Sequence, residues 1–189
     1  YKILKKYNVS LLDAPVSGGV SGAKNASLTI MVGGEKKIFK KSSEYLSKIG
    51  KNIIYVGKSG SGQIVKACNN MMLGINIIGI SEAFLLAKKF GIDEKIFYKI
   101  CSSSTSSSWA MLNHLPVKGI VKNAAANNNF KAGYAASLIK KDLQISQAMA
   151  KKVKINTILG SKAKDLYVKF CKKYSPNLDY SAIIKFFKN

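Results

Sequence analysis

Between Gln63 and Phe90 the chain reads QIVKACNNMMLGINIIGISEAFLLAKKF, and no other stretch restricts the fold as much. Apolar side chains from Ile64 and Val65 through Met71, Ile75, Ile78 and Phe84 lie nearly all round a helical path. Helices of that kind are buried rather than amphipathic. Gly91 closes the run. Its most apolar part, about Met71 to Ala87, is interrupted by Asn76, Ser81 and Glu82. A bilayer span needs roughly 20 uninterrupted apolar residues, so no membrane-crossing helix is expected. With 189 residues, 47% of them hydrophobic, the chain can bury a proper core as one compact domain or one plus a fragment.

The segments on either side differ in kind. Before the helix the signals are those of strands: LLDAPV, then SLTIMV bounded by Gly33 and Gly34, then NIIYV. Between the last two, EKKIFKKSSEYLSKIG places Ile38, Phe39, Tyr45, Leu46 and Ile49 on one helical face, with Glu35 favourable at its start and Gly50 at its stop. After the helix the strand signal disappears. Asp93 can cap a helix over Glu94 to Ile100, CSSSTSSSW is a polar loop, and NHLPVKGIVKNAAANNNF is a connection or short helix. Further helices are predicted at about Ala135 to Val153, Ile158 to Lys173 and Tyr180 to Phe187. The expected layout is an α/β remnant over residues 1–60, joined through the long helix to an all-helical domain over 61–189. Because the chain opens on Tyr1 and at once on a helix-like segment, it reads as a fragment; any signal or transit peptide would lie upstream, and the sequence is silent on targeting.

A formal charge of +22 invites nucleic acid or an anionic membrane as a partner. Every basic residue is lysine, however, and none is arginine. Phosphate and base recognition favour the bidentate guanidinium, and no block of five or six lysines occurs. A generally basic surface is expected, with no specific nucleic acid and no membrane. Cys68, Cys101 and Cys171 lie far apart, with no C-x-x-C and no histidine nearby, which argues for reduced thiols and against a zinc site.

Candidate chemistry begins with Lys66. Asn70 and Gly74 follow it at four-residue spacing and share its stripe. A lysine that is buried loses charge readily, and its lowered pKa makes it a proton donor or acceptor near neutrality. The plainer alternative is a lysine reaching solvent. Ser17, Gly18 and Gly19 follow the first strand, and in open α/β sheets ligands gather at the carboxyl ends of strands. Glycines there let successive N–H groups converge on an anion such as a carboxylate; the alternative is a simple glycine-rich turn. With no arginine, backbone N–H groups, serine, asparagine and lysine must hold any such anion. His114, the only histidine, has no flanking carboxylate and is expected at the surface. Trp109 either lines a pocket or anchors its loop. Lys141 and Asp142 read by themselves as a solvated pair.

Two long stretches, DAPVSGGVSGAKNASLTIMVGG from Asp13 and GSGQIVKACNNMMLGINIIGISEA from Gly60, resemble the β-hydroxyacid dehydrogenase family, nearest its 3-hydroxyisobutyrate-oxidising branch. The similarity continues through FGID, the serine loop with Trp109 and NNNFKAGYAASLIKKDL, and covers essentially the whole chain. It implies the C-terminal part of a Rossmann-type domain followed by an all-α, 6-phosphogluconate-dehydrogenase-like domain with a long central helix.

The resemblance implies Lys66 as the catalytic lysine that exchanges a proton with the substrate hydroxyl, and Ser17, Gly18, Gly19 and Asn70 as substrate-binding residues. It implies Lys141 as a contact to NAD or NADP, NAD being favoured, and no metal. The reaction implied is oxidation of 3-hydroxyisobutyrate to methylmalonate semialdehyde in valine breakdown, in the mitochondrial matrix or otherwise the cytoplasm, by a homodimer or homotetramer. The alternatives are reductases of tartronate, succinic or glyoxylic semialdehyde, or a non-catalytic oligomerisation module. Related phosphogluconate dehydrogenases carry His-Asn after the lysine, where this chain has Asn69 and Asn70; that favours a small hydroxy acid over a sugar phosphate. Ala26, Ser106 and Tyr134 depart from the usual glycine, glycine and phenylalanine, which bears on substrate size and loop geometry.

Overall fold

The computed structural model describes residues 2–188. The chain is mostly helical with one small mixed sheet, and it divides into two compact units, Tyr1–Asn69 and Asn70–Asn189.

The first unit contains α1 (Lys2–Lys5), β1 (Val16–Ser17), α2 (Gly19–Lys24), β2 (Leu28–Gly33), α3 (Lys36–Leu46), β3 (Gly50–Gly57) and the first turns of α4 (Ser61–Lys89). The sheet order is β1-β2-β3; β2 and β3 run parallel through α3, and β1 is antiparallel to β2 with Val16 opposite Ile30 and Ser17 opposite Thr29. Leu28, Ile30 and Val32 of β2 form its core, covered by Leu12, Ala14, Phe39, Leu46 and Ile53. Of the apolar face expected on α3, Phe39 and Leu46 reach this core, whereas Tyr45 and Ile49 are 76% and 51% exposed. Seven residues make almost two whole turns, so positions 39 and 46 coincide in angle and 45 does not.

Two local expectations are corrected. The strand expected over LLDAPV reduces to Val16–Ser17 plus a single antiparallel bridge from Asp13 to Gly33. Pro15 lies between them and has no N–H to give a ladder. In addition, GVSGAK, which carries no helix signal, forms α2. Glycine's poor helix propensity hides that helix in the sequence.

The second unit holds the rest of α4, then α5 (Glu94–Ser102), α6 (Trp109–His114), a 3-10 turn (Ala125–Asn128), α7 (Ala136–Lys152), α8 (Ile158–Lys173), a second 3-10 turn (Tyr180–Ile183) and α9 (Ile184–Phe187). Asp93 caps α5, its Oδ1 accepting from the N–H groups of Lys95 at 2.9 Å and Ile96 at 3.0 Å. Ile77, Phe84, Leu143, Tyr167, Phe170 and Ile183 are among the side chains that close the helical core. Truncating a buried aromatic such as Phe84, which meets Phe97 edge-on at 4.9 Å, removes about 3–5 kcal/mol. Small residues permit the closest approaches. A Cβ on Gly74 of α4 would touch both Cδ atoms of Leu143 of α7 at 3.4 Å, and one on Gly160 of α8 would come 2.7 Å from Gln147 Nε2 of α7.

The expectation that α4 is buried all round holds for one side only. Ile77, Ser81 and Phe84 are inaccessible, but Ile64, Met72 and Leu86 are 52%, 57% and 62% exposed. The helix carries more apolar surface than its neighbours in this chain cover. Length and composition alone would suit a membrane span, yet its polar groups are built into packing: Asn70 is buried, and Ser81 Oγ donates to the Ile77 carbonyl at 2.7 Å.

Candidate active site

The start of α4 is set by Asp13. Its backbone exchanges two hydrogen bonds with Gly33, at 3.0 and 2.8 Å. Its carboxylate accepts from the N–H of Gly60 at 2.6 Å and of Gln63 at 3.2 Å. The first N–H groups of a helix have no intrahelical acceptor, and a negative charge there also meets the positive end of the helix dipole. Glycine makes this approach possible, since a Cβ on Gly33 would lie 2.6 Å from Asp13 Oδ1 and one on Gly62 would lie 2.8 Å from Asp13 Oδ2.

With α4 anchored, Lys66 falls about one turn into it. Its Nζ donates to the carbonyl of Val16 at 2.6 Å, and its side chain is half-buried. The structure thereby brings the amine to the end of β1, beside Ser17, Gly18 and Gly19. Ser17 closes β1 rather than following it. Gly18 and Gly19 take φ values of +135° and +61°, and Gly19 opens α2. A side chain on Gly18 would also press on Leu28 at 3.0 Å.

The reason given for expecting a ligand at this strand end is corrected. β1 is antiparallel, so residues 17–19 lie beside the beginning of β2, with Ser17 opposite Thr29. The carboxyl ends of the parallel pair instead border a recess of about 270 Å³ lined by Gly34, Glu35, Lys58 and Ser59.

One turn after Lys66, Asn70 is buried in a polar cluster of the helical unit. Its Nδ2 donates to Asp142 Oδ2 at 2.6 Å and lies 3.1 Å from the hydroxyl of Tyr134, which itself donates to Asp142 Oδ2. Burial, then the hydrogen bond and charge of Asp142, push the Tyr134 phenol far above its ordinary value, with the Asn70 contact opposing. Lys141 keeps its side chain 59% exposed while its Nζ stands 3.2 Å from Asp142 Oδ1. The pair is therefore not simply solvated, because Asp142 is only 15% exposed.

His114 is corrected from a surface residue to a partly buried one. Its ring lies between Trp109 at 4.8 Å and Tyr180 at 5.4 Å, and its buried Nδ1 has no partner. Burial holds its pKa below the ordinary value, against the pull of Asp179. Trp109 is 56% exposed, its ring tilted by 36° against that of His114. The three cysteines are free thiols.

Sequence reasoning passed over Asp13, Tyr134 and Asp142 as members of a site. Asn70 and Asp142 are 72 residues apart, and no spacing rule connects them. One usable signal was scarcity. Among only 9 acidic residues in the chain, an aspartate is seldom incidental.

Two family descriptions divide the chain between them. The one for the NAD binding domain of 6-phosphogluconate dehydrogenase matches residues 1–57. The one for the NAD-binding region of NADP-dependent 3-hydroxyisobutyrate dehydrogenase matches residues 60–187. The mitochondrial 3-hydroxyisobutyrate dehydrogenase of Pongo abelii is 37% identical over 187 residues, covering 99% of this chain and 56% of that protein. A probable 3-hydroxyisobutyrate dehydrogenase of Mycobacterium bovis is 38% identical over 184 residues, covering 97% of this chain and 62% of that one. A solved structure of Mycobacterium tuberculosis 3-hydroxyisobutyrate dehydrogenase with L-serine matches at a TM-score of 0.95 and 37% identity, covering 100% of this chain and 64% of that one. The chain thus spans somewhat more than half the length of these relatives. It belongs to the 3-hydroxyisobutyrate dehydrogenase family.

Proposed function

We propose that the protein carrying this chain is an NAD(P)-dependent dehydrogenase of a small β-hydroxy acid, with 3-hydroxyisobutyrate as substrate and methylmalonate semialdehyde as product. Residues 1–60 would be the closing part of its Rossmann-type domain, and residues 61–189 its helical domain, through which copies of the chain pair into a homodimer or homotetramer. The observation that carries the reading is the 2.6 Å hydrogen bond from Lys66 Nζ to the Val16 carbonyl. It holds an amine next to the backbone run Ser17 to Gly19, whose two glycines at positive φ suit the close approach of an anion. The amine takes the hydroxyl proton of the substrate as hydride leaves its carbon, and the N–H groups and hydroxyl at 17–19 hold the substrate carboxylate. For that transfer Nζ must come within about 2.6–3.2 Å of the hydroxyl oxygen.

The donor set suits a dinucleotide: Lys141 offers an exposed ammonium tethered beside Asp142, a fitting partner for an anionic group. The nicotinamide cofactor, when bound, accepts the hydride. NAD is the form to test first. The place of the reaction would be valine breakdown, in the mitochondrial matrix where the organism has one, in keeping with the name of the Pongo abelii relative.

Lys66→Ala in the full-length protein tests the assignment. Turnover of 3-hydroxyisobutyrate should fall about 10²- to 10⁴-fold, while NADH binding, followed by its fluorescence, is retained. Near-normal oxidation by the variant would remove Lys66 from the chemistry.

A further inference from the structure

A recess of about 320 Å³ lies wholly within the helical unit and shares no residue with the candidate active site. Its floor is apolar: Val117 and Ile184 are buried and Phe130 is half-buried. Its rim is basic. Lys88 comes from the end of α4, Lys118 from the connection after α6, Lys185 from α9 and Lys188 from the residue just beyond it. The acid on the wall is Glu94, and Lys88 already meets it at 3.1 Å. Lys118, Lys185 and Lys188 have no carboxylate in ion-pair reach among the described residues. Like charges gathered round one hollow repel each other, and an anion relieves them. Lysine is common in this chain and most of it makes a basic surface, but Lys185 is set apart by how it is held. Its side chain is half-buried, with Nζ 5.1 Å from the centre of the Phe130 ring, a cation–π contact. Phe130 offers that ring from a left-handed backbone at φ +59°, directly after Asn129 at +48°. Such a conformation is an outlier for a bulky residue. It is fixed from both sides, the Phe130 N–H donating to the Ala125 carbonyl at 2.8 Å and the Phe130 carbonyl accepting from the Asp179 N–H at 2.8 Å. Backbone strain of this kind persists only where the surrounding structure over-determines it, and it gathers at ligand clamps.

We propose that this recess binds a small organic phosphate, with its charged head among Lys118, Lys185 and Lys188 and an apolar body against Phe130, Val117 and Ile184. The volume stands at the lower end of clefts that hold small molecules, about 300–1,000 Å³, which suits a metabolite. A phosphate monoester carries about −1.5 to −2 charges at neutral pH, and lysine meets it as a point charge. A carboxylate brings only a single charge to three ammonium groups. The apolar floor separates an organic phosphate from the inorganic ion, which would leave that surface in water. The proposal stands apart from the dehydrogenase reading and does not depend on it.

The test is calorimetric titration of the full-length protein, with excess NADH present to fill any dinucleotide site, using phenyl phosphate, inorganic phosphate and benzoate as probes. Phenyl phosphate should bind about tenfold more tightly than either of the others. Lys118→Gln and Lys185→Gln should each weaken it about 3- to 10-fold, and a rise in salt from about 0.05 to 0.5 M should weaken it further. Lys151→Gln, an exposed lysine that does not line the recess, should leave it unchanged. In a 15N spectrum the backbone signals of Lys118 and Lys185 should move as phenyl phosphate is added. Inorganic phosphate binding as tightly as phenyl phosphate would deny the floor a part and overturn the proposal. Benzoate binding as tightly would overturn the choice of phosphate. An equal loss in Lys151→Gln would reduce the effect to the overall positive charge, and no binding at millimolar phenyl phosphate would leave no site at all. Each of these results is independent of turnover, so none of them bears on Lys66.

Discussion

Three helices end in the same way, with three different residues at the critical place. At the end of α4, Gly91 has φ +79°, Gly91 N–H bonds the Lys88 carbonyl and Ile92 N–H bonds that of Ala87. The same pair of bonds closes α2, where Ala26 N–H meets the Ala23 carbonyl and Ser27 N–H that of Gly22, and closes α7, where Lys154 N–H meets Lys151 and Ile155 N–H meets Ala150. This is the Schellman arrangement, whose left-handed residue is usually glycine because a Cβ there is strained. Ala26 and Lys154 occupy it at φ +48° and +56°. Ala26→Gly should therefore raise the unfolding free energy by about 1 kcal/mol in urea denaturation, relief of strain outweighing the added freedom of the unfolded chain. Lys154→Gly should do the same, and Gly91→Ala the reverse. The unusual alanine was visible in the sequence. Its strain was not, because a backbone angle is fixed by the turn that follows α2, and GVSGAK gave no sign that a helix preceded it.

Elements were legible where one helix face or one apolar run dominated. α8 has the predicted bounds, β2, α3, α4, α5 and α7 lie within a few residues of theirs, and the Asp93 cap stands where its sequence put it. Legibility failed for two elements: β1 is defined by its pairing with the distant Thr29 and Ile30, and α2, closed by local bonds, is hidden by its glycines. The same division runs through the site. Lys66, Ser17, Gly18, Gly19, Asn70 and Lys141 could be singled out by spacing or resemblance, while Asp13, which holds the start of α4, and Asp142, which accepts from Asn70, depend on contacts 47 to 72 residues away along the chain. Asp13 joins two elements, bridging β2 through its backbone and holding the start of α4 through its carboxylate. Asp13→Ala should cost about 1–2 kcal/mol, the loss of a helix N-terminal acceptor. Because Lys66 lies one turn further on, the full-length variant should also lose more turnover than its destabilisation explains, measured as kcat at a temperature where circular dichroism shows it fully folded. Full kcat would detach the cap from the amine.

On the scale of the whole molecule, 31 basic side chains against 9 acidic ones leave little carboxylate to spare. Three of those acids sit inside hydrogen-bond networks: Asp13, Asp142 and Asp179, the last wholly buried and accepting from Gly133, Tyr134 and Ser181. Asp179 also faces His114, whose other neighbours are the rings of Trp109 and Tyr180. Burial depresses the histidine's pKa, so the unfolded chain binds its proton more readily than the folded one. Stability linked to this group is fully present above its unfolded value of about 6.5 and is lost as pH falls through the lower folded value. Thermal unfolding should therefore shift to lower temperature between pH 7.5 and 5, and His114→Phe should flatten that slope. An equal slope in the variant would assign the acid sensitivity elsewhere. Finally, Lys66 and Asn70 ride on one unbroken helix of 29 residues. A single codon gained or lost between them would swing one side chain about 100° around the axis relative to the other. The gene can exchange bases here and keep its phase, but in these few codons its reading length is frozen.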